Sequence, residues 1–141
     1  PDSVEVYWEK YSAKVDSLPD QARFILLKSK YYKSNWQEAK NLAENLILNP
    51  DYAIRSQAQL IYAVSLYRLK DYDNAIMELY RTCYLYDHSP ELVLEAKRYL
   101  IKAYFETGHI AEAGTVLEEI RADLSADEAA AFDALLNNRQ N

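Results

Sequence analysis

The side chains best able to do chemistry in this sequence are two histidines, one cysteine, adjacent glutamates and an unusual number of tyrosines. His88 and His109 fall in expected turns or at a helix start, and neither has a cysteine or a carboxylate pair at metal-ligand spacing, so no metal site is expected. Cys83 lies in an apolar stripe with no obvious basic neighbour to lower its pKa, which makes it a packing residue and not a reactive thiol. Being the single cysteine, it cannot form an internal disulfide. Glu118 and Glu119 are adjacent on an expected helix and cannot share one face as an acid–base pair. A phosphate-cradling Gly-rich loop, a G-x-S-x-G turn and a Ser/His/Asp arrangement are all missing. The chain is therefore read as non-catalytic, with no cofactor. Tyrosine remains to be explained: of 13, eight lie between Tyr62 and Tyr104.

Composition narrows the scaffold. A length of 141 residues, half of them hydrophobic, allows one compact domain with a real core. Two glycines and four prolines are too few for a sandwich or barrel of tight turns, which leaves helices. The net charge of −6 has the wrong sign for a phosphate-backbone binder, so nucleic acid is not an expected partner. Residues 1–105 balance 14 acidic against 14 basic side chains, whereas residues 106–141 carry eight acids and only Arg121 and Arg139 as bases. No apolar run approaches the roughly 18 to 20 residues of a membrane span and no signal peptide is evident, so a soluble chain, cytoplasmic or periplasmic, is expected. The opening Pro1 is the start expected of a processed protein or of a piece cut from a longer one, and missing targeting sequences then say little.

Helix signals divide the chain into eight segments without a strand. Val4, Tyr7, Trp8, Tyr11, Val15 and Leu18 keep helical spacing up to Pro19. Asp20 opens a second segment, to about Lys33. Asn35 with Glu38 is a capping-box signature for a third, whose stripe runs Trp36, Ala39, Ala43, Leu46, Ile47 before Pro50. Asp51 starts the fourth and Asp71 caps the fifth, where Tyr72, Ala75, Ile76, Leu79, Tyr80, Cys83 and Tyr86 follow one another at helical spacing. In that stripe Tyr72, Tyr80 and Tyr86 read as core with their hydroxyls at the surface. Ser89-Pro90 starts the sixth, which Gly108 stops. The seventh carries Ile110, Ala113, Gly114, Leu117, Ile120 and Leu124, and Ser125 with Glu128 caps an eighth containing Ala129, Phe132 and Leu136.

Two kinds of helix alternate. The third, fifth and seventh segments have one apolar stripe, as expected of elements covered on one side. The fourth and sixth are apolar almost all round, and the second contains Phe24-Ile25-Leu26-Leu27, so these are expected to be covered on several sides. Trp36-Gln37-Glu38-Ala39, Tyr72-Asp73-Asn74-Ala75 and Ile110-Ala111-Glu112-Ala113 superpose with a period of 36 and then 38 residues. The same register aligns Ser29, Ser65 and Ala103 and, two residues on, Tyr31, Tyr67 and Phe105. A helix pair recurring at this length is a solenoid signature.

On these residues the chain resembles the tetratricopeptide repeat (TPR) family: Ala63 three before Leu66, the Tyr72-to-Ala75 step after a short turn, Ala75-x3-Leu79, and Pro50 and Pro90 closing two repeats. The repeats exceed the usual length of about 34 residues, Leu27 and Ile101 stand where a small residue is expected, and the third repeat has no closing proline. Longer inter-repeat turns also occur in bacterial envelope members. The resemblance implies an all-α, right-handed α-solenoid of antiparallel helix pairs: an N-terminal helix at 3–18, repeats at 20–50, 51–89 and 90–124, and a capping helix at 125–138. It also implies a concave groove lined by the apolar helices. Tyr31, Tyr32, Tyr67 and Phe105 near the ends of those helices, with Lys28, Gln57, Arg68, Glu95, Arg98 and Lys102 between them, are the candidate lining; rigid rings with polar tips suit recognition as well as packing. Such a strip, aromatic and mildly basic in an acidic protein, favours an extended or helical segment with aromatic-compatible and acidic side chains. Lys28 and Arg98 match part of the clamp with which some members hold chaperone tails, but no Asn lies at the matching positions, so that ligand is not expected. The expected role is a scaffold binding a protein or peptide, as a monomer or weak homo-oligomer. The alternatives are a module stacking on further repeats and a regulatory domain of a larger protein.

Overall fold

The structure, a computed structural model, describes residues 18–140. The expected helix at 3–18 thus lies outside the described residues but for Leu18. The elements are α1 (Asp20–Tyr32), α2 (Trp36–Glu44), α3 (Tyr52–Arg68), α4 (Tyr72–Leu85), α5 (Pro90–Glu106), α6 (Ile110–Ile120), a 3₁₀ turn at Arg121–Asp123 and α7 (Ala126–Gln140). The fold is all-helical, with no strand among the described residues.

Each helix has an identifiable start. The Asp51 carboxylate accepts from the amides of Ala53 (2.9 Å) and Ile54 (3.2 Å), Pro90 occupies the first turn of α5, and Ser125 Oγ accepts from the Glu128 amide at 3.1 Å. The other expected caps form differently. Neither Asn35 nor Asp71 caps through its side chain, and Glu38 reaches instead to the buried Lys30 ammonium at 3.0 Å. The reason lies in the preceding turn. The amides of Asn35, Asp71 and His109 already donate to the carbonyls of Lys30, Leu66 and Tyr104 at 2.8–2.9 Å, while those of Ser34, Lys70 and Gly108 donate to Tyr31, Tyr67 and Phe105 at 2.9–3.1 Å. This paired bonding ends a helix with one left-handed residue, here Ser34 (φ 62°), Lys70 (φ 67°) and Gly108 (φ 79°). A capping box would send Glu38 back to an Asn35 amide that is already occupied.

Two helices end sooner than their stripes suggest. α2 stops at Glu44, and the chain tightens through i→i−3 bonds such as Leu46 N to Ala43 O at 2.8 Å, which still leaves Leu46 fully buried. α6 stops at Ile120, and Leu124 is extended after the 3₁₀ turn.

Every helix packs against the next, and α3 packs in addition on α1 and α5. Ile54, Ala58, Ile61, Ala63, Val64 and Leu66 of α3 are buried, as are Ala96, Tyr99, Leu100, Ile101 and Ala103 of α5. α1 is less enclosed: Phe24 and Leu27 are buried, whereas Ile25 is 59 % exposed. One cluster joins α1, α2 and α3 and a larger one runs from α3 to α7, with Tyr31 and Tyr62 packed against both. Buried polar groups are matched where α3 meets α4: Gln59 Nε2 donates to the Glu78 carbonyl and carboxylate at 3.1 and 3.0 Å, and Thr82 Oγ1 donates to the same carbonyl at 2.8 Å. α7 packs on α6 and places Phe132 and Leu136 in the larger core.

Candidate binding surface

The three helix ends that share one turn geometry also share an aromatic residue. Tyr31, Tyr67 and Phe105 are the carbonyl acceptors of the left-handed residue's amide, so each occupies the same position of its turn. From there Tyr31 stands edge-on to Trp36 at 5.6 Å between centroids, and Tyr67 meets Tyr72 at 5.7 Å. Tyr67 also reaches Tyr99 of the next odd-numbered helix, at 5.4 Å. These rings carry two cations. The Arg68 guanidinium carbon lies 5.4 Å from the Trp36 centroid, 5.7 Å from Tyr67 and 5.6 Å from Tyr99, and Arg68 donates to the Tyr99 hydroxyl at 3.2 Å. The Lys102 ammonium lies 4.7 Å from the same Tyr99 ring, a cation–π distance.

Beside this cluster is a hollow of about 210 Å³ lined by Lys28, Tyr31 and Tyr32 of α1, Gln57, Leu60 and Ile61 of α3, and Leu92 of α5. Gln57, Leu60 and Leu92 also border a second hollow of about 490 Å³ that extends to Ser89, Pro90 and Glu91. Tyr32 is 80 % exposed, and the Lys28 ammonium rests 4.5 Å from the Phe24 ring. The Tyr31 hydroxyl is pushed above the ordinary phenol range by burial and by the nearness of Tyr99 and Glu95, with Arg68 opposing. Tyr67 moves the same way, mainly through burial and then through Glu106.

The expected site residues thus do not all meet. Lys28, Tyr31, Tyr32 and Gln57 meet in the hollow, and Tyr67, Arg68 and Lys102 meet on Tyr99. Arg98 goes elsewhere: it holds Glu128 of α7 through Nε (2.8 Å) and an Nη (3.0 Å) and takes Glu95 at 3.1 Å, and its guanidinium is held charged first of all by Glu128. Glu95 is thereby committed to Arg98. Phe105 is half-buried against the larger core. Sequence reasoning missed Trp36 and Tyr99 as members of this surface. Tyr99 stands in register with Ile25 and Ile61 and so reads as core; the signal was an aromatic where the two aligned positions carry Ile, with Lys102 one turn on.

Other reactive candidates are spent on structure. The Cys83 thiol is pushed up by burial against the opposing effect of Lys97, the basic neighbour that the spacing did not reveal. Tyr80 corrects an expectation: it is 47 % exposed on the flank of α4, where its hydroxyl accepts from Tyr104 at 3.0 Å, while Tyr86 is buried. Glu118 pairs with Arg121 and Glu119 with Lys97. His88 is exposed beside Asp87, and His109 Nδ1 meets Thr107 Oγ1 at 2.8 Å. Among the described residues no three His, Cys, Asp or Glu side chains are grouped to hold a metal ion, and no helix is long and apolar enough to cross a membrane. Compared with known proteins, the chain matches no family model, no curated protein and no solved structure at a significant level.

Proposed function

We propose that the chain is a non-catalytic interaction scaffold of the tetratricopeptide-repeat kind, three antiparallel helix pairs in a right-handed solenoid with a C-terminal cap, holding a protein or peptide segment in a groove along α1, α3 and α5. The observation that carries this reading is the hollow at Tyr31, to which three helices separated by about one repeat each contribute: Lys28, Tyr31 and Tyr32, then Gln57, Leu60 and Ile61, then Leu92. Packing of α3 on both α1 and α5, with α2 and α4 between them in sequence, supports an inner row of odd-numbered helices. Three turns of one geometry at Ser34, Lys70 and Gly108, repeating with the spacing read from the sequence, support the repeat.

A photo-crosslinking residue at Gln57 on the purified chain, compared with one at Met77 of α4, tests the reading in a native extract. A discrete adduct from Gln57 and none from Met77 is expected. The reverse result would move the working surface to the even-numbered helices, where Met77, Tyr80, Tyr84 and Leu85 are exposed on α4. Those exposed side chains favour a second reading, self-assembly through the outer face, and a solution mass of more than one chain at micromolar concentration would select it.

A further inference from the structure

Arg68 and Lys102 share one ring and, among the described residues, no acid. Arg68 closes α3 and is exposed, Lys102 is half-buried on α5, and both stand over Tyr99, which is itself only 8 % exposed, so the cations are what the solvent meets there. Among the described residues neither meets a carboxylate. Of the acids near these rings, Glu95 is bonded by Arg98, which in turn is held by Glu128, and Glu106, whose charge acts on Tyr67, forms no ion pair among the described residues. Arg68 uses one hydrogen bond, to the Tyr99 hydroxyl, out of the five N–H groups a guanidinium offers. Its position over Trp36, Tyr67 and Tyr99 gives it three cation–π contacts without consuming the rest. Among the described residues this positive charge has no ion-pair partner, in a protein of net charge −6.

We infer that Arg68 and Lys102 form a carboxylate subsite, and that the partner segment carries an acidic side chain there beside an apolar one in the Leu60–Leu92 hollow. The inference rests on the groove reading above and names its partner's chemistry. Tyr31 sets the spacing: it lines the hollow and also packs on Trp36, one of the rings beneath Arg68, so the two subsites flank a single side chain and the two ligand residues are near neighbours in sequence. The carboxylate belongs to a side chain and not to a chain end. Aromatic lining continues from Tyr99 through Tyr67 to Tyr72 as well as through Trp36 to Tyr31 and the hollow, so the segment runs past the cation pair.

Selection of random 12-residue peptides on the full chain tests this, with one library displayed through its C-terminal end, so that no peptide carboxylate is free, and a second ending in a free carboxylate. The first library is expected to yield peptides with Asp or Glu next to a large apolar residue. A synthetic amidated peptide from that pool is expected to lose about tenfold in affinity when its acid becomes an amide, and about as much on the Arg68→Gln, Lys102→Gln double variant. Acid removal and cation removal together should cost little more than either alone, a coupling that a general loss of folding would not produce. Lys102→Gln alone, which leaves the stacked arginine in place, is the second variant should the double one unfold. Peptides that compete at the groove without an acid preference, or a double variant that selects the same acidic peptides, would overturn the subsite and leave the groove standing. Enrichment only from the library with free carboxylates would overturn the side-chain assignment. Failure of both libraries would overturn the subsite together with the groove.

Discussion

Tyr31 joins packing to recognition, and its hydroxyl gives that position a measurable signature. Burial and the neighbouring Tyr99 and Glu95 disfavour its phenolate, so the folded chain keeps the proton after the unfolded chain, near the ordinary phenol pKa of about 10, has released it. The folded state then binds more protons than the unfolded one, and stability from this group, complete below that pKa, falls as pH rises above it. The urea midpoint should drop between pH 9 and pH 11, and it should drop less in Tyr31→Phe, which keeps the ring on Trp36 and removes the proton. Parallel curves for the two proteins would show that Tyr31 is solvated. The sequence made this residue visible through its recurrence with Tyr67 and Phe105. It did not show what the recurrence does, because the same ring position serves the turn by packing on Trp36 or Tyr72 and the surface by lining the hollow. Arg98 was equally visible and went elsewhere, since its acceptor Glu128 lies 30 residues away and no local pattern predicts that meeting.

At the scale of elements, the turns from α1 to α2, α3 to α4 and α5 to α6 are three versions of one device filled by different residues. Gly108 takes the left-handed conformation without steric cost, while Ser34 and Lys70 take it against the roughly 1–2 kcal/mol that a Cβ imposes there. Lys70→Gly should therefore stabilise the fold by about 0.5–1 kcal/mol after the added chain entropy of glycine is subtracted. Gly108→Ala should destabilise by about 1 kcal/mol, although no atom lies within 4 Å of the added methyl. Gly114→Ala, inside α6 with equally open space, should stabilise by up to about 1 kcal/mol through helix propensity alone. Thermal midpoints of the three variants check the signs; a loss of stability in Lys70→Gly would refute the strain argument. This contrast also explains what was legible. Helix cores were, because apolar spacing survives tertiary packing, and the Gly108 stop was, because glycine announces a left-handed residue. The equivalent stops at Ser34 and Lys70 carry no such residue, and the Asn35 amide, bonded to the Lys30 carbonyl across the Ser34 turn, displaced the capping box read at Asn35 and Glu38. The seat of α7 was half legible. Phe132 and Leu136 announced their burial, but the bidentate Arg98–Glu128 pair did not announce itself. With side chains 26 % and 32 % exposed, that pair should couple by no more than about 1 kcal/mol in a double-mutant cycle of Arg98→Ala and Glu128→Ala.

At the scale of the whole molecule, each helix packs on the next, and the last must bury one side while it leaves the other to solvent. α7 is that element. Its Phe132 and Leu136 enter the same cluster as Leu117 and Ile120 of α6, while Arg121 ties it back through the Asp133 carboxylate at 2.8 and 2.9 Å. Exposing one large apolar side chain costs about 1.5–3 kcal/mol, so removing the two that α7 buries takes away several kcal/mol from a domain whose total stability is of order 5–15. The ionic tie adds little to this because Arg121 and Asp133 stand largely in solvent. Ending the chain at Leu124 should accordingly lower the thermal midpoint by many degrees, or convert the chain to an associated form through the uncovered faces of Leu117 and Ile120. Phe132→Ala in the full chain should reproduce part of the loss, and Asp133→Asn almost none. Calorimetry paired with light scattering separates these outcomes, and a truncated chain that stayed monomeric with the parent's midpoint would mean that the core closes on α6. Residues 106–141 carry the whole net charge, most of their acids on α6 and α7, so the protein's overall field opposes an approaching acid. An acidic segment must then be drawn in by the short-range pair and not by the net charge. Its affinity should consequently fall as salt rises in the parent, and in the Arg68→Gln, Lys102→Gln variant that fall should disappear or reverse in the same titration, because the charge left behind repels the segment and salt screens the repulsion.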